Sequence, residues 1–223
     1  MPEAPHNNRS EGEDRPGILL PELLLEGYAQ GVFPMAESRH DPEVNWYTAR
    51  RRGIIPLDAF HVSRKVSRII RRGGYRWSID VDFRGVMEGC ADRETTWISD
   101  RIIDSFEVLH ELGHAHSVEI YLEDHARKYG VRKDRLVAGI YGVALRSAFF
   151  AESMFRTEPE MDKVALFHCH EVLRAGGFQL WDVQFHTPHL AQFGCREIDA
   201  DAYRQLLAEA LRHPARFGAP ASR

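Results

Sequence analysis

The stretch from Val137 to Phe155 constrains this chain more than any other. It is apolar almost throughout and broken by one polar pair, Arg146-Ser147, so it reads as two strands joined by a short turn at the centre of the fold. One carboxylate, Glu152, interrupts the second strand among Phe149, Phe150, Met154 and Phe155. An unpaired charge among aromatics is costly. Either Glu152 sits at a solvated strand end, or it pairs with a cation from elsewhere in the chain, or it waits for a cationic ligand.

The 223 residues are enough for one substantial core. A net charge of -4 argues against a wholly basic nucleic-acid coat protein but leaves local patches open. Three cysteines, Cys90, Cys169 and Cys195, form no CxxC pair, which argues against a disulfide framework or a thiolate zinc site and for a reduced, cytoplasmic setting. Residues 1–17 are polar and acidic without an apolar segment, so they read as a disordered tail and not as a signal peptide. No apolar run approaches the roughly 20 residues that span a bilayer, so no membrane partner is expected.

In chain order, a helix is expected from Pro21 to Gln30 with Leu23, Leu24 and Tyr28 on its apolar face, then an aromatic linker through Val32–Met35 and Asn45–Tyr47. From Arg50 to Arg72 there are eight basic residues against one acid, Asp58. Within that run His61–Arg72 fits an amphipathic helix burying Val62, Val66, Ile69 and Ile70 and presenting Arg64, Lys65, Arg68, Arg71 and Arg72, which is either a solvated face or a phosphate-binding one. A strand over Tyr75–Val81 and a helix capped by Asp82 and running through Cys90 follow. Next comes a helix over Arg101–Leu112, capped by Ser99 or Asp100, with Ile102, Ile103, Phe106, Leu109 and Leu112 inward. After a strand at Ser117–Leu122, the charged stretch Glu123 to Arg135 reads as a solvated hairpin extension. Thr157-x-x-Glu160 has the form of a capping box for a helix ending at Ala175. A strand over Gln179–Phe185 and a helix over Asp199–Leu211 complete the pattern, and residues 213–223 read as a loose tail.

His110-Glu-Leu-Gly-His114 matches the zinc-binding HExxH motif, which needs both histidines one turn apart on a continuing helix and a third ligand downstream. Gly113 stands where a helix ends and strand alternation resumes just after His114. No metal is therefore expected, and a zinc peptidase is set aside.

Taken together, Gly31–Pro34, Thr96–Ile98, Leu109–Ser117, Gly139–Val143, Glu152–Phe155, Asp162–Leu166 and Asp182–Phe185 resemble the leucyl/phenylalanyl-tRNA–protein transferase family, from about Leu19 to Tyr203. The resemblance implies an α/β (α+β) fold, with a small N-terminal domain over 18–60 and a GNAT-like mixed sheet flanked by helices over 61–212. It implies a monomer that moves leucine or phenylalanine from aminoacyl-tRNA onto the N-terminus of a protein beginning with arginine or lysine, as a degradation tag. It implies no cofactor. The residues agree on coenzyme A: Arg156–Glu160 carries two acids and no glycine where a pyrophosphate loop would stand.

Alternation along Leu180–Phe185 puts Asp182 and Gln184 on one face and Trp181, Val183 and Phe185 on the other. By the resemblance, the Gln184 amide accepts a hydrogen bond from the attacking amine, Asp182 orients or polarises that amide, and Glu152 meets a cation of donor or acceptor. The family's substrate pocket corresponds to Trp46, Trp97, Ile140, Phe149, Met154, Cys169 and Trp181. The basic helix would meet the tRNA acceptor arm, whose 3′ end carries the amino acid. Cys169, Trp181, Ala151, Asp162, His186, Thr48-Ala49 and the insertion from Glu123 to Arg135 depart from the family pattern. These departures keep open an arginine donor, an acidic acceptor N-terminus, or a module that binds tRNA or peptide without catalysis.

Overall fold

The computed structural model describes residues 17–123 and 134–218. The expected N-terminal tail up to residue 16, all but the ends of the charged insertion, and the last five residues of the chain lie outside the described residues. In chain order the elements are α1 (Pro21–Ala29), β1 (Phe33–Met35), β2 (Asn45–Tyr47), β3 (Arg51–Ile54), α2 (Arg64–Arg72), β4 (Arg76–Ile79), α3 (Phe83–Ala91) and α4 (Asp100–Glu111). They continue with β5 (Ala115–Glu123), β6 (Asp134–Leu145), β7 (Ala148–Arg156), α5 (Met161–Ala175), β8 (Leu180–Gln184), α6 (Pro188–Ala191), β9 (Arg196–Asp199) and α7 (Ala200–Ala210).

The apolar hairpin is β6-β7, turned at Arg146-Ser147 with Arg146 at φ 57°. It lies in the middle of a seven-stranded sheet of order β4-β5-β6-β7-β8-β3-β9. Every neighbouring pair is antiparallel except β7 and β8, which run parallel. Side-chain alternation divides the hairpin between two cores. Tyr141, Val143 and Phe150 pack with α1, α3, α4 and α7. Ile140, Phe149 and Ala151 pack with α5 and Val66 of α2. The result is the α/β mixed sheet flanked by helices that the GNAT-like resemblance implied. No helix among the described residues is long and apolar enough to cross a membrane.

The helix starts follow local chemistry. Ser63, Asp82, Ser99 and Asp199 each accept a hydrogen bond from a backbone N–H of the first turn they cap. The capping box at Thr157 does not form. Glu160 precedes α5 at φ 69° with no side-chain cap, and its carboxylate turns to Lys65 (3.0 Å) and Lys163 (2.9 Å) instead. Leu112 is 58% exposed, not inward, because α4 stops at Glu111 and takes Leu112 past the last packed turn.

The aromatic linker is a small sheet, β1 against β2, with Phe33 opposite Tyr47. Strand β3 was not foreseen. It bonds to β8 and β9, so residues 51–54 belong to the large sheet. The segment after Leu211 also differs from the loose tail expected. The Arg216 N–H donates to the Gly176 carbonyl (3.0 Å), and the buried Phe217 ring stacks on Phe149 (5.1 Å) and His116 (4.6 Å).

Candidate active site

Strands β7 and β8 pair at only three positions, Ala148 with Leu180, Phe149 with Trp181 and Phe150 with Asp182. Beyond Phe150 they part, because β8 is held by β3 on its other side while β7 follows β6. Glu152 and Gln184 each stand two residues past the last pair, on the two lips of the opening. A β-bulge helps aim Glu152. Ala151 is opposite Gly142 and Ser153 is opposite Tyr141, so Glu152 is the extra residue between them. Only glycine suits position 142, since a Cβ there would run into the Phe150 carbonyl oxygen.

Glu152 meets no cation among the described residues. Its Oε1 accepts from the Tyr28 hydroxyl (2.7 Å) and, at 3.4 Å, from Gln184 Nε2; no donor among the described residues reaches its Oε2. Burial pushes the Glu152 carboxyl up to about 8; the Tyr28 hydrogen bond pulls it down, Asp182 adds to the rise and Arg52 opposes it. Sequence reading placed Tyr28 only on an apolar helix face; nothing local announces that its hydroxyl crosses to residue 152.

A cavity of about 570 Å³ opens beside Glu152. Its apolar wall is Trp97, Met154, Phe155 and Leu190, and its polar wall carries Asp92, Arg93, Arg156, Asp162 and His189. Asp162 is held by Arg156 (3.0 Å) and lies 3.4 Å from His189. Of the seven residues expected to form the substrate pocket, Trp97 and Met154 line this cavity. Ile140, Phe149, Cys169 and Trp181 are packed in the α5 core, each 3% exposed or less. Trp46 packs on the other core, its ring lying over Gly27. Gln184, itself buried, stands behind Glu152 and does not line the cavity.

Asp182 is fully buried and does not touch the Gln184 side chain as expected. Its Oδ1 accepts the Gln184 backbone N–H (2.8 Å), and its Oδ2 accepts the Tyr203 hydroxyl (2.6 Å). Both oxygens are clamped by Arg52, whose Nε lies 2.9 and 3.0 Å and whose Nη2 lies 2.7 Å away. Burial works against the Arg52 charge, but the charge of Asp182 and its hydrogen bonds outweigh burial and the pKa is raised. The expected side-chain alternation ends at Gln184. Phe185 meets Phe33 edge-on (5.7 Å), on the core opposite Trp181 and Val183. Arg52 escaped sequence reading because it sits in a run of three arginines. The strand period is the signal that separates them: the Arg51 side chain is 61% exposed and bound to Glu197, whereas that of Arg52 is 1% exposed.

Comparison with known proteins decides the family. The leucyl/phenylalanyl-tRNA protein transferase profile matches residues 54–208, and the profile of that family's N-terminal domain matches residues 17–50. The chain belongs to the leucyl/phenylalanyl-tRNA–protein transferase family. It is thereby an aminoacyltransferase. A relative with that family name from Ruegeria sp. (strain TM1040) is 51% identical over 203 residues, 91% of this chain and 92% of the relative. One from Cereibacter sphaeroides is 51% identical over 203 residues, 91% of this chain and 90% of the relative. Among solved structures, a crystal structure of FemX aligns with TM-score 0.49 at 12% identity, covering 83% of this chain and 65% of the other.

In this member of the transferase family the basic run divides by geometry. Arg64, Arg68, Arg71 and Arg72 are exposed and form no ion pair among the described residues, whereas Lys65 is bound to Glu160. Arg64, Arg68 and Arg71 line a groove of about 610 Å³ floored by Val62, Ile70 and Phe167. The HExxH stretch divides as its glycine suggested. His110 ends α4 and its Nδ1 lies 2.8 Å from the Ala115 carbonyl, while Gly113 at φ 78° takes His114 off the helix. No group of three or more metal-ligating side chains is clustered among the described residues.

Proposed function

We propose that the protein transfers leucine or phenylalanine from aminoacyl-tRNA to the α-amino group of proteins that begin with arginine or lysine, the tag of an N-end-rule degradation route. The observation that carries this reading is the opening between β7 and β8, where a carboxyl with one unengaged oxygen faces a cavity with an apolar wall and a wall of mixed charge. The apolar wall of Trp97, Met154, Phe155 and Leu190 suits the donor side chain. Asp92 offers charge to a basic acceptor residue, whereas Asp162 is already engaged by Arg156.

In the reaction the acceptor nitrogen attacks the ester carbonyl carbon, the bond from that carbon to the tRNA ribose oxygen breaks, and the amine proton ends on the ribose hydroxyl. An α-ammonium has a pKa of about 7.7 to 8.0. The Glu152 carboxyl, at about 8, is matched to it, so Oε2 can take the proton with little driving force in either direction. Gln184, behind Glu152, steadies that carboxyl through Nε2. The ester is already activated, so the remaining work is alignment, which contributes roughly 7 to 11 kcal/mol in well-oriented reactions. Cationic α2 meets phosphates of the acceptor arm without reading sequence.

The test is to incubate the protein with a panel of charged tRNAs and peptides differing in their first residue and look for a one-residue mass increase. Leucine or phenylalanine added to arginine- or lysine-initiated peptides supports the reading. Transfer of arginine, or onto acidic N-termini, replaces the substrates and keeps the chemistry; no transfer with any pair replaces it with a binding module.

A further inference from the structure

Gln184 is one of four non-glycine residues with positive φ, at 54°, among the described residues. The next N–H, of Phe185, donates back to the Val183 carbonyl at 2.6 Å. A bond between residues two apart with positive φ at the middle one is a γ-turn of the rare, strained form. Strain of this kind persists only where surrounding groups over-determine it, and it concentrates at functional sites. Here the surrounding group is Asp182, whose Oδ1 takes the N–H of the strained residue (2.8 Å).

Asp182 in turn has three segments of the chain fixed to it. Arg52 of β3 holds both its oxygens, Tyr203 of α7 holds Oδ2, and Arg52 Nη1 donates to the Gly31 carbonyl (2.9 Å) just after α1. The guanidinium is flanked by two rings, lying 4.9 Å from the Phe33 centroid and 4.6 Å from that of Tyr203. A fork of donors between two aromatic faces is a geometry arginine can supply and lysine cannot. No part of Arg52 lines the cavity, so it acts at a distance.

We infer that Arg52 is a positioning residue for the transfer reaction: acting through Asp182, it holds Gln184 at the apex of a strained turn, aimed at Glu152, and ties that turn to the docked N-terminal segment. For its catalytic consequence the inference rests on the function proposed above; for its structural part it does not.

The experiment is a double-mutant cycle with Arg52→Lys, Asp182→Asn and the pair, reading single-turnover transfer, tRNA binding and hydrogen exchange at the Gln184 amide. Each single variant is expected to lower the transfer rate at least tenfold with tRNA affinity within threefold of wild type. Exchange at Gln184 is expected to quicken at least tenfold, and the pair to be no slower in transfer than the worse single variant within threefold, because residues acting through one carboxylate are non-additive. Multiplicative losses, or wild-type exchange at Gln184 in Arg52→Lys, overturn the inference. If wild-type protein transfers nothing, the proposed function fails while the exchange result still decides the clamp. Should Arg52→Lys fail to fold, Tyr203→Phe removes one donor from the same carboxylate, and an unchanged Gln184 exchange rate there overturns it equally.

Discussion

At the scale of single residues, the proton on Glu152 is the most telling feature. Its folded pKa of about 8 lies above the roughly 4.3 of an unfolded glutamate. Between those two values the folded state binds more protons than the unfolded one, so this residue's contribution to stability is lost as pH rises through that window and is level above it. Glu152→Gln keeps an acceptor for the Tyr28 hydroxyl and cannot ionise. The variant is expected to gain in melting temperature relative to wild type between pH 5 and pH 9; parallel curves for the two proteins would show that Glu152 carries no such burden. Gln184→Ala removes the Nε2 donor behind Glu152, and by the role proposed for that carboxyl the loss is expected to be about 10²-fold in rate, the lower end of what a general base contributes. Single-turnover transfer should fall by that order while filter binding of tRNA is unchanged, and a wild-type rate would take Gln184 out of the mechanism.

At the scale of elements, α2 and β3 show how a charge run is sorted by geometry. Each phosphate contact contributes about 0.7 to 0.9 to the log–log dependence of affinity on salt. Replacing Arg64, Arg68 and Arg71 with alanine is therefore expected to flatten the slope of tRNA binding by about 2 to 3. Lys65→Ala is expected to leave the slope in place, since Glu160 already occupies that ammonium. A salt titration of the two variants and wild type checks both statements, and an unchanged slope in the triple variant returns α2 to an ordinary solvated face. Strand β3 does the reverse with its arginines. It turns Arg51 out to Glu197 and Arg52 in to Asp182, so neighbouring residues of one type serve the surface and the interior of the site.

At the scale of the whole molecule, both ends of the described chain are built into the site's support. Tyr28 and the Gly31 carbonyl reach in from the N-terminal segment, and Tyr203 comes from α7. Phe217 closes the α5 core from the end of the described chain, against Phe149 and Phe178. Phe217→Ala is expected to cost about 3 to 5 kcal/mol, as buried Phe→Ala changes do. Urea denaturation measures it; a loss inside ~0.5 kcal/mol, typical of exposed positions, would mean that the ring only rests on the surface.

Much of this was legible locally. The hairpin β6-β7 stands out because a long apolar run with one polar break has few other solutions, and the caps at Asp82 and Ser99 stand out because a side chain satisfies an N–H three residues on. The family likeness and the oddity of Glu152 are also properties of the sequence alone. The tertiary structure alone decided which charges are buried and what they do. Arg52 finds Asp182 across 130 positions, Tyr28 finds Glu152 across 124, and Lys65 finds Glu160 across 95. The same long-range packing buried four of the expected pocket residues and left Trp97 and Met154 at the cavity. Hydrophobic pattern is read within one or two turns of chain, whereas an ion pair or a pocket wall depends on which strand lies beside which. In this protein that is set by the order β7-β8-β3 and by the point at which β7 and β8 part.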